Sequence, residues 1–69
     1  MNFQLLLAIV SIVSELLKIV QSGQLTVAQI DQELTEGMTA FNLSTTIKTD
    51  VLSVVNAVLQ IMGITVIKV

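Results

Sequence analysis

Polar residues return every three or four positions along the first stretch of the chain. Gln4, Ser11, Ser14, Glu15, Lys18, Gln21 and Ser22, with Ala8 bridging the first gap, fall on one narrow stripe of a helix. Leu, Ile, Val, Phe and Ala fill the remaining circumference. The pattern predicts a helix over about 2–22, stopped by Gly23. Glu15 and Lys18 stand three apart on the stripe, a spacing worth about 0.2–0.5 kcal/mol as an ion pair.

The next segment, TVAQIDQELTEGMTAF, has a wider wet side. Thr26 followed three residues later by Gln29 is a capping-box pattern, in which each side chain satisfies an orphan backbone donor. Val27, Ile30, Leu34, Met38 and Phe41 trace one apolar face, and Asp31, Gln32, Glu33, Thr35 and Glu36 fill the other. An amphipathic helix over about 27–40 follows. Gly37 costs it about 1 kcal/mol relative to Ala, which points to a close approach or a bend. The run NLSTT, 42–46, breaks the pattern; Asn42, Ser44 and Thr46 are all candidate caps for a third helix.

That third helix is expected over about 46–62, with Thr49, Ser53, Asn56, Gln60 and Gly63 on its polar stripe. Its many β-branched residues weaken helix propensity, but a half-buried strand would alternate by two, and the spacing here is three and four. The tail ITVIKV is open between a short strand and one more helical turn, with helical continuation slightly ahead. The fold class is therefore all-α: two long apolar helices flanking a shorter amphipathic one, in a single small domain over 1–69.

Composition decides what such a domain needs. Of 69 residues, 54% are apolar and 12% are charged, against a usual charged share of roughly 25%. A lone chain this short buries only about 60% of the surface it exposes when unfolded. It carries more apolar surface than it is expected to hide. With no Cys and no His, disulfides and the usual zinc ligands are absent from the sequence, so partner surface, protein or lipid, is the expected source of extra stability.

The same absences narrow the chemistry. A Ser or Thr nucleophile has no histidine base to work with, and a cysteine nucleophile is missing. Glu33 and Glu36 read as a solvated helix face rather than an acid–base pair. Met38 and Phe41 fit core packing better than a recognition patch. Lys18, Lys48 and Lys68 are the whole basic complement, and the net charge is -2, so neither nucleic acid nor an anionic lipid headgroup is an expected partner. No catalytic residue, cofactor, metal or small-molecule substrate is expected.

Three solvents compete for the opening segment. An export signal is not expected, because Met1 to Leu7 lacks Lys and Arg and no Ala-x-Ala follows. A membrane span is length-compatible, though Glu15 and Lys18 would each cost about 2.5–3.5 kcal/mol at mid-bilayer. Val51 to Ile67, free of charge, reads as the better span. Two such spans around an acidic middle resemble, in layout, small hairpin membrane proteins such as some phage holins. Burial in protein is the preferred reading, since a narrow polar stripe suits a helix surrounded on most sides.

The expected function is accordingly a non-enzymatic structural or interaction protein that self-associates or packs into a larger assembly, a virion being one candidate. A membrane-inserting, pore-forming hairpin is the alternative, and strand addition by ITVIKV to a partner sheet a distant third. The residues expected to carry interaction are Leu6, Ile9, Val13 and Leu17 on the first helix and Val55, Asn56, Leu59 and Gln60 on the third. Asn56 and Gln60 are included because polar groups on an apolar helix set register or bond across helices.

Overall fold

The second and third helices of the fold each end at a residue in a left-handed backbone conformation. In the computed structural model, which describes residues 3–68, helix α1 runs Phe3–Ser22, α2 runs Val27–Ala40 and α3 runs Lys48–Ile61. Asn42 takes φ 55° just beyond α2, and Gly63 takes φ 74° just beyond α3. Both ends close in the same way. After α2, the N–H groups of Asn42 and Leu43 donate to Thr39 and Met38 carbonyls at 3.1 and 2.9 Å; after α3, Gly63 and Ile64 donate to Gln60 and Leu59, both at 3.0 Å. These are Schellman closures, each folding an apolar residue, Leu43 or Ile64, back toward the core.

The starts are as specific. The capping box at Thr26 forms: its Oγ1 accepts from the Gln29 N–H at 3.1 Å, and the Gln29 Oε1 accepts from the Thr26 N–H at 2.8 Å. Ser44 caps a single 3-10 turn, Thr45–Ile47, accepting from the Thr46 N–H at 3.3 Å, and that turn leads directly into α3. None of the three candidates in NLSTT caps α3 itself, which starts after Ile47 with no side-chain cap; Ser44 serves the turn that precedes it. The start of α3 moves from the expected 46 to Lys48. The expected start of α1 at Asn2 lies outside the described residues, as does Val69.

The tail corrects the reading that favoured one more helical turn. Gly63 turns the chain out of α3, and Val66–Ile67 (β2) pairs in parallel with Leu25–Thr26 (β1), Leu25 opposite Val66 and Thr26 opposite Ile67. This two-stranded ladder joins the chain's last residues to the link between α1 and α2. Leu25 sits buried at its centre. Ile and Val next to each other suit an extended backbone once Gly63 has released the helix.

One core lies between the three helices. Ile9, Ile12 and Leu16 of α1 meet Ile30, Leu34 and Met38 of α2 and Val51, Val55 and Leu59 of α3, with Leu25 closing one end. Met38 thus packs as expected and Phe41 is half-buried, whereas Val27, expected on the same face, is exposed. Each helix contributes residues spaced three or four apart, the periodicity that a single buried stripe requires. An ion pair the spacing did not announce, Lys48 Nζ to Asp31 Oδ1 at 3.0 Å, ties the start of α3 to α2.

Candidate interaction surface

Helix α1 carries two apolar seams, one residue apart. The inner seam is Leu5, Ile9, Ile12, Leu16 and Ile19, and the core claims its middle three. Shifting by one residue rotates about 100° around the helix, to Phe3, Leu6, Val10, Val13, Leu17 and Val20. These six alternate by three and four, the spacing of a coiled-coil seam. Phe3 is 72% exposed, Leu6 45% and Val10 54%. Val13, Leu17 and Val20 are half-buried.

The outer seam borders an open groove against α3. Leu6, Ile9, Val10, Val13 and Ser14 form one wall and Val54 and Val58 the other, around a volume of about 370 Å³. Ser14 is the one polar residue in that lining. Toward the start of α3 the apolar surface continues past Leu5, Ile47 and Val54 to Asp50. At the other end of α3, its last residue Ile61 is 85% exposed, with Met62 half-exposed beside it.

The groove on the other side of α1, against α2, has the opposite chemistry. Glu15 and Ser11 of α1 face Glu33, Glu36, Gly37 and Ala40 of α2. Glu33 is held above the ordinary glutamate range, first by partial burial and then by the Glu36 and Glu15 carboxylates, with a Glu36 hydrogen bond adding to the effect. Glu15 meanwhile pairs with Lys18 at 3.2 Å, as its spacing on the stripe predicts. Among the described residues no group of three or more acidic, His or Cys side chains is gathered closely enough to hold a metal ion. Beneath the carboxylates the helices meet tightly. A Cβ on Gly37 would collide with the Ile12 side chain, so Gly37 is the socket for that side chain.

The eight residues singled out in the sequence separate into three groups. Ile9, Val55 and Leu59 are consumed by the chain's own core, so they are corrected from contact residues to packing residues. Leu6 is exposed, and Val13 and Leu17 half-buried, on the outer seam. Asn56 and Gln60 are exposed to solvent, away from the α1–α3 groove. Val10, exposed on the outer seam, is not among the eight, nor are Val54 and Val58 across the groove. Counting every apolar position of the first helix as one broad face concealed that two spaced seams coexist there; the three-and-four spacing from Phe3 to Val20 was the available signal.

The membrane arithmetic also changes. Helix α1 is long and apolar enough to cross a bilayer, with mean hydropathy 2.1, and it is the one such helix among the described residues. The expected second span from Val51 to Ile67 does not exist as a continuous helix. α3 has 14 residues, about 21 Å at about 1.5 Å each, against the roughly 30 Å of a hydrocarbon core. Gly63 then turns the chain back into the parallel ladder. No family model, curated protein or solved structure matches this chain.

Proposed function

We propose that this chain is a non-enzymatic structural or interaction protein whose role is to associate, with copies of itself or within a larger assembly such as a virion. The observation that carries the reading is the open apolar groove of α1 and α3, lined by the exposed Leu6, Val10 and Val54. Scattered exposed apolar residues are ordinary on a soluble protein, but a contiguous apolar strip on a helix of this length is a contact surface in search of a partner. The inner seam carries most of the packing of α1, with Val13 and Val20 of the outer seam packed against the core beside it, and Phe3, Leu6 and Val10 are the outer-seam residues left exposed to serve association.

Membrane insertion is the second reading, favoured by the length and hydropathy of α1. It requires α1 to give up Ile12 and Leu16 from the core, where both are fully buried. The measurement that separates the two is the molecular mass of the purified protein by sedimentation, with and without detergent, together with flotation on liposomes. Association in the absence of detergent is expected. A stable monomer at micromolar concentration overturns the proposal, and carbonate-resistant liposome binding replaces it with the membrane reading.

A further inference from the structure

We propose that residues 65–68 form a strap that releases from the three-helix body while the body stays folded, baring the edge of β1 and the cleft between α2 and α3 where Val66 sits. The inference depends on neither the associating role nor the membrane reading, because it concerns a different face of the molecule.

Three features set the strap apart from the body. Every residue of the buried core lies on a helix or on β1, and Val66 is the strap residue that packs against that core. The ladder with β1 spans two residue pairs, Leu25 with Val66 and Thr26 with Ile67, and a two-stranded ladder that short has little stability of its own. Among the described residues, no strap side chain makes a hydrogen bond or ion pair. Packing around Val66 is incomplete as well. Its cleft, lined by Val27, Ile30, Asp31, Leu52 and Asn56, keeps about 150 Å³ of open space, so the side chain lacks partner atoms on part of its surface.

The hinge is equally defined. Ile64 belongs to the body: its N–H donates to the Leu59 carbonyl at 3.0 Å in the closure of α3, and its side chain packs on the core. Thr65 follows, exposed and outside the ladder. Backbone rotation at Thr65 therefore lifts the strap without disturbing the end of α3 or any buried helix contact. The strap is held shut by the ladder and one valine, whereas the body is held by buried side chains from all three helices. A unit so weakly held opens locally at less free energy than global unfolding requires. Opened, the molecule presents an unpaired strand edge beside an apolar cleft, the kind of surface on which extended segments add as strands. Closed, the strap occupies both.

Amide hydrogen exchange of the full chain, followed residue by residue by NMR at several low urea concentrations, tests the separation. The hydrogen-bonded ladder amides should exchange at least about 10-fold faster than the amides of Leu16 and Val55, with rates that stay flat while those two climb with urea, because local opening exposes little surface. Exchange of ladder and core amides at one rate, with one urea slope, overturns the proposal. Val66→Asp gives a second reading, since it sets a carboxylate in the cleft beside Asp31. Helicity by circular dichroism and a cooperative urea transition should persist in this variant while the ladder amides lose their protection. Loss of helicity together with the ladder overturns the proposal, because the strap would then be part of the body.

Discussion

The two sides of α1 make different bargains with the rest of the molecule. Against α2 the backbones come close, because Gly37 leaves room for Ile12, and the rim of that contact is acidic. Against α3 the helices part over a groove lined almost wholly by aliphatic side chains. Like charges are tolerable on the first side because water screens them and packing below holds the helices together. On the second side no bulky residue fills the space between Val10 and Val54, so apolar surface is left open there. One helix therefore anchors the fold with one seam and presents another, and its total hydrophobicity does not reveal which residues do which.

The strongest way to break that division is to compare neighbours. Leu16→Ala removes a fully buried inner-seam side chain and should cost about 2–5 kcal/mol, enough to unfold most of the population of so small a domain. Leu17→Ala, one residue along on the outer seam, should cost the monomer less than about 1 kcal/mol. Urea unfolding followed by circular dichroism reads both, and equal losses would show that the two seams are not distinct.

Charge on the two sides gives the next contrast. Leu6→Asp, on the outer seam, should abolish association or solubility while Ser11→Asp keeps both, and size-exclusion chromatography reports the difference. Ser11 faces Glu15, Glu33 and Glu36, so Ser11→Asp should carry a small stability loss of its own that Ser11→Lys reverses. Indistinguishable elution of Leu6→Asp and wild type would remove Leu6 from the contact surface.

Gly37→Ala sharpens the α2 side. Alanine gains about 1 kcal/mol of helix propensity over glycine, yet its methyl would overlap the buried Ile12 side chain, an overpacking that costs about 1–3 kcal/mol. A net loss is expected, and the combination with Ile12→Ala should be less damaging than the two single losses added together. Additive losses in the four-member cycle would mean that Gly37 is there for some reason other than Ile12.

The smallest effect is titration of the acidic rim. Because Glu33 holds its proton more tightly when folded than an ordinary glutamate, protonation favours the fold. Its contribution is present below the ordinary glutamate value and is lost as pH rises through the raised folded value. Moving from neutral toward pH about 5 should therefore raise the urea midpoint of the wild type more than that of Glu33→Gln. Parallel midpoints for the two proteins would mean that the Glu15–Glu33–Glu36 rim carries no strain.

Much of the fold was legible from spacing. The capping box at Thr26 and Gln29, the α2 limits of 27–40, the break at NLSTT and the Glu15–Lys18 pair all depend on residues within four positions of each other, where geometry is nearly determined by the backbone. Less legible was the tail. The β-branched residues of ITVIKV suit an extended backbone but do not impose it, and the parallel partner that holds it, Leu25–Thr26, lies some forty residues earlier. The candidate surface was partly legible: Leu6, Ile9 and Val13 line the groove, Leu17 stands on the same seam outside its lining, and Val55 and Leu59 are buried in the core, because burial depends on which of two apolar seams the other helices happen to claim.

By itself, then, the sequence determined three helices, their polar stripes and an excess of apolar surface over what a chain this short can cover. Periodicity, caps and composition act locally or sum over the chain, and they do not depend on how the helices are arranged. Tertiary structure decided the rest. It chose the inner seam of α1 for the core, spent Gly37 on Ile12, turned the chain at Gly63 into a parallel ladder with β1, and left Leu6 and Val10 of the outer seam open beside Val54 and Val58. These outcomes depend on contacts between residues far apart in the chain, where packing chooses among faces that a one-dimensional pattern leaves equivalent.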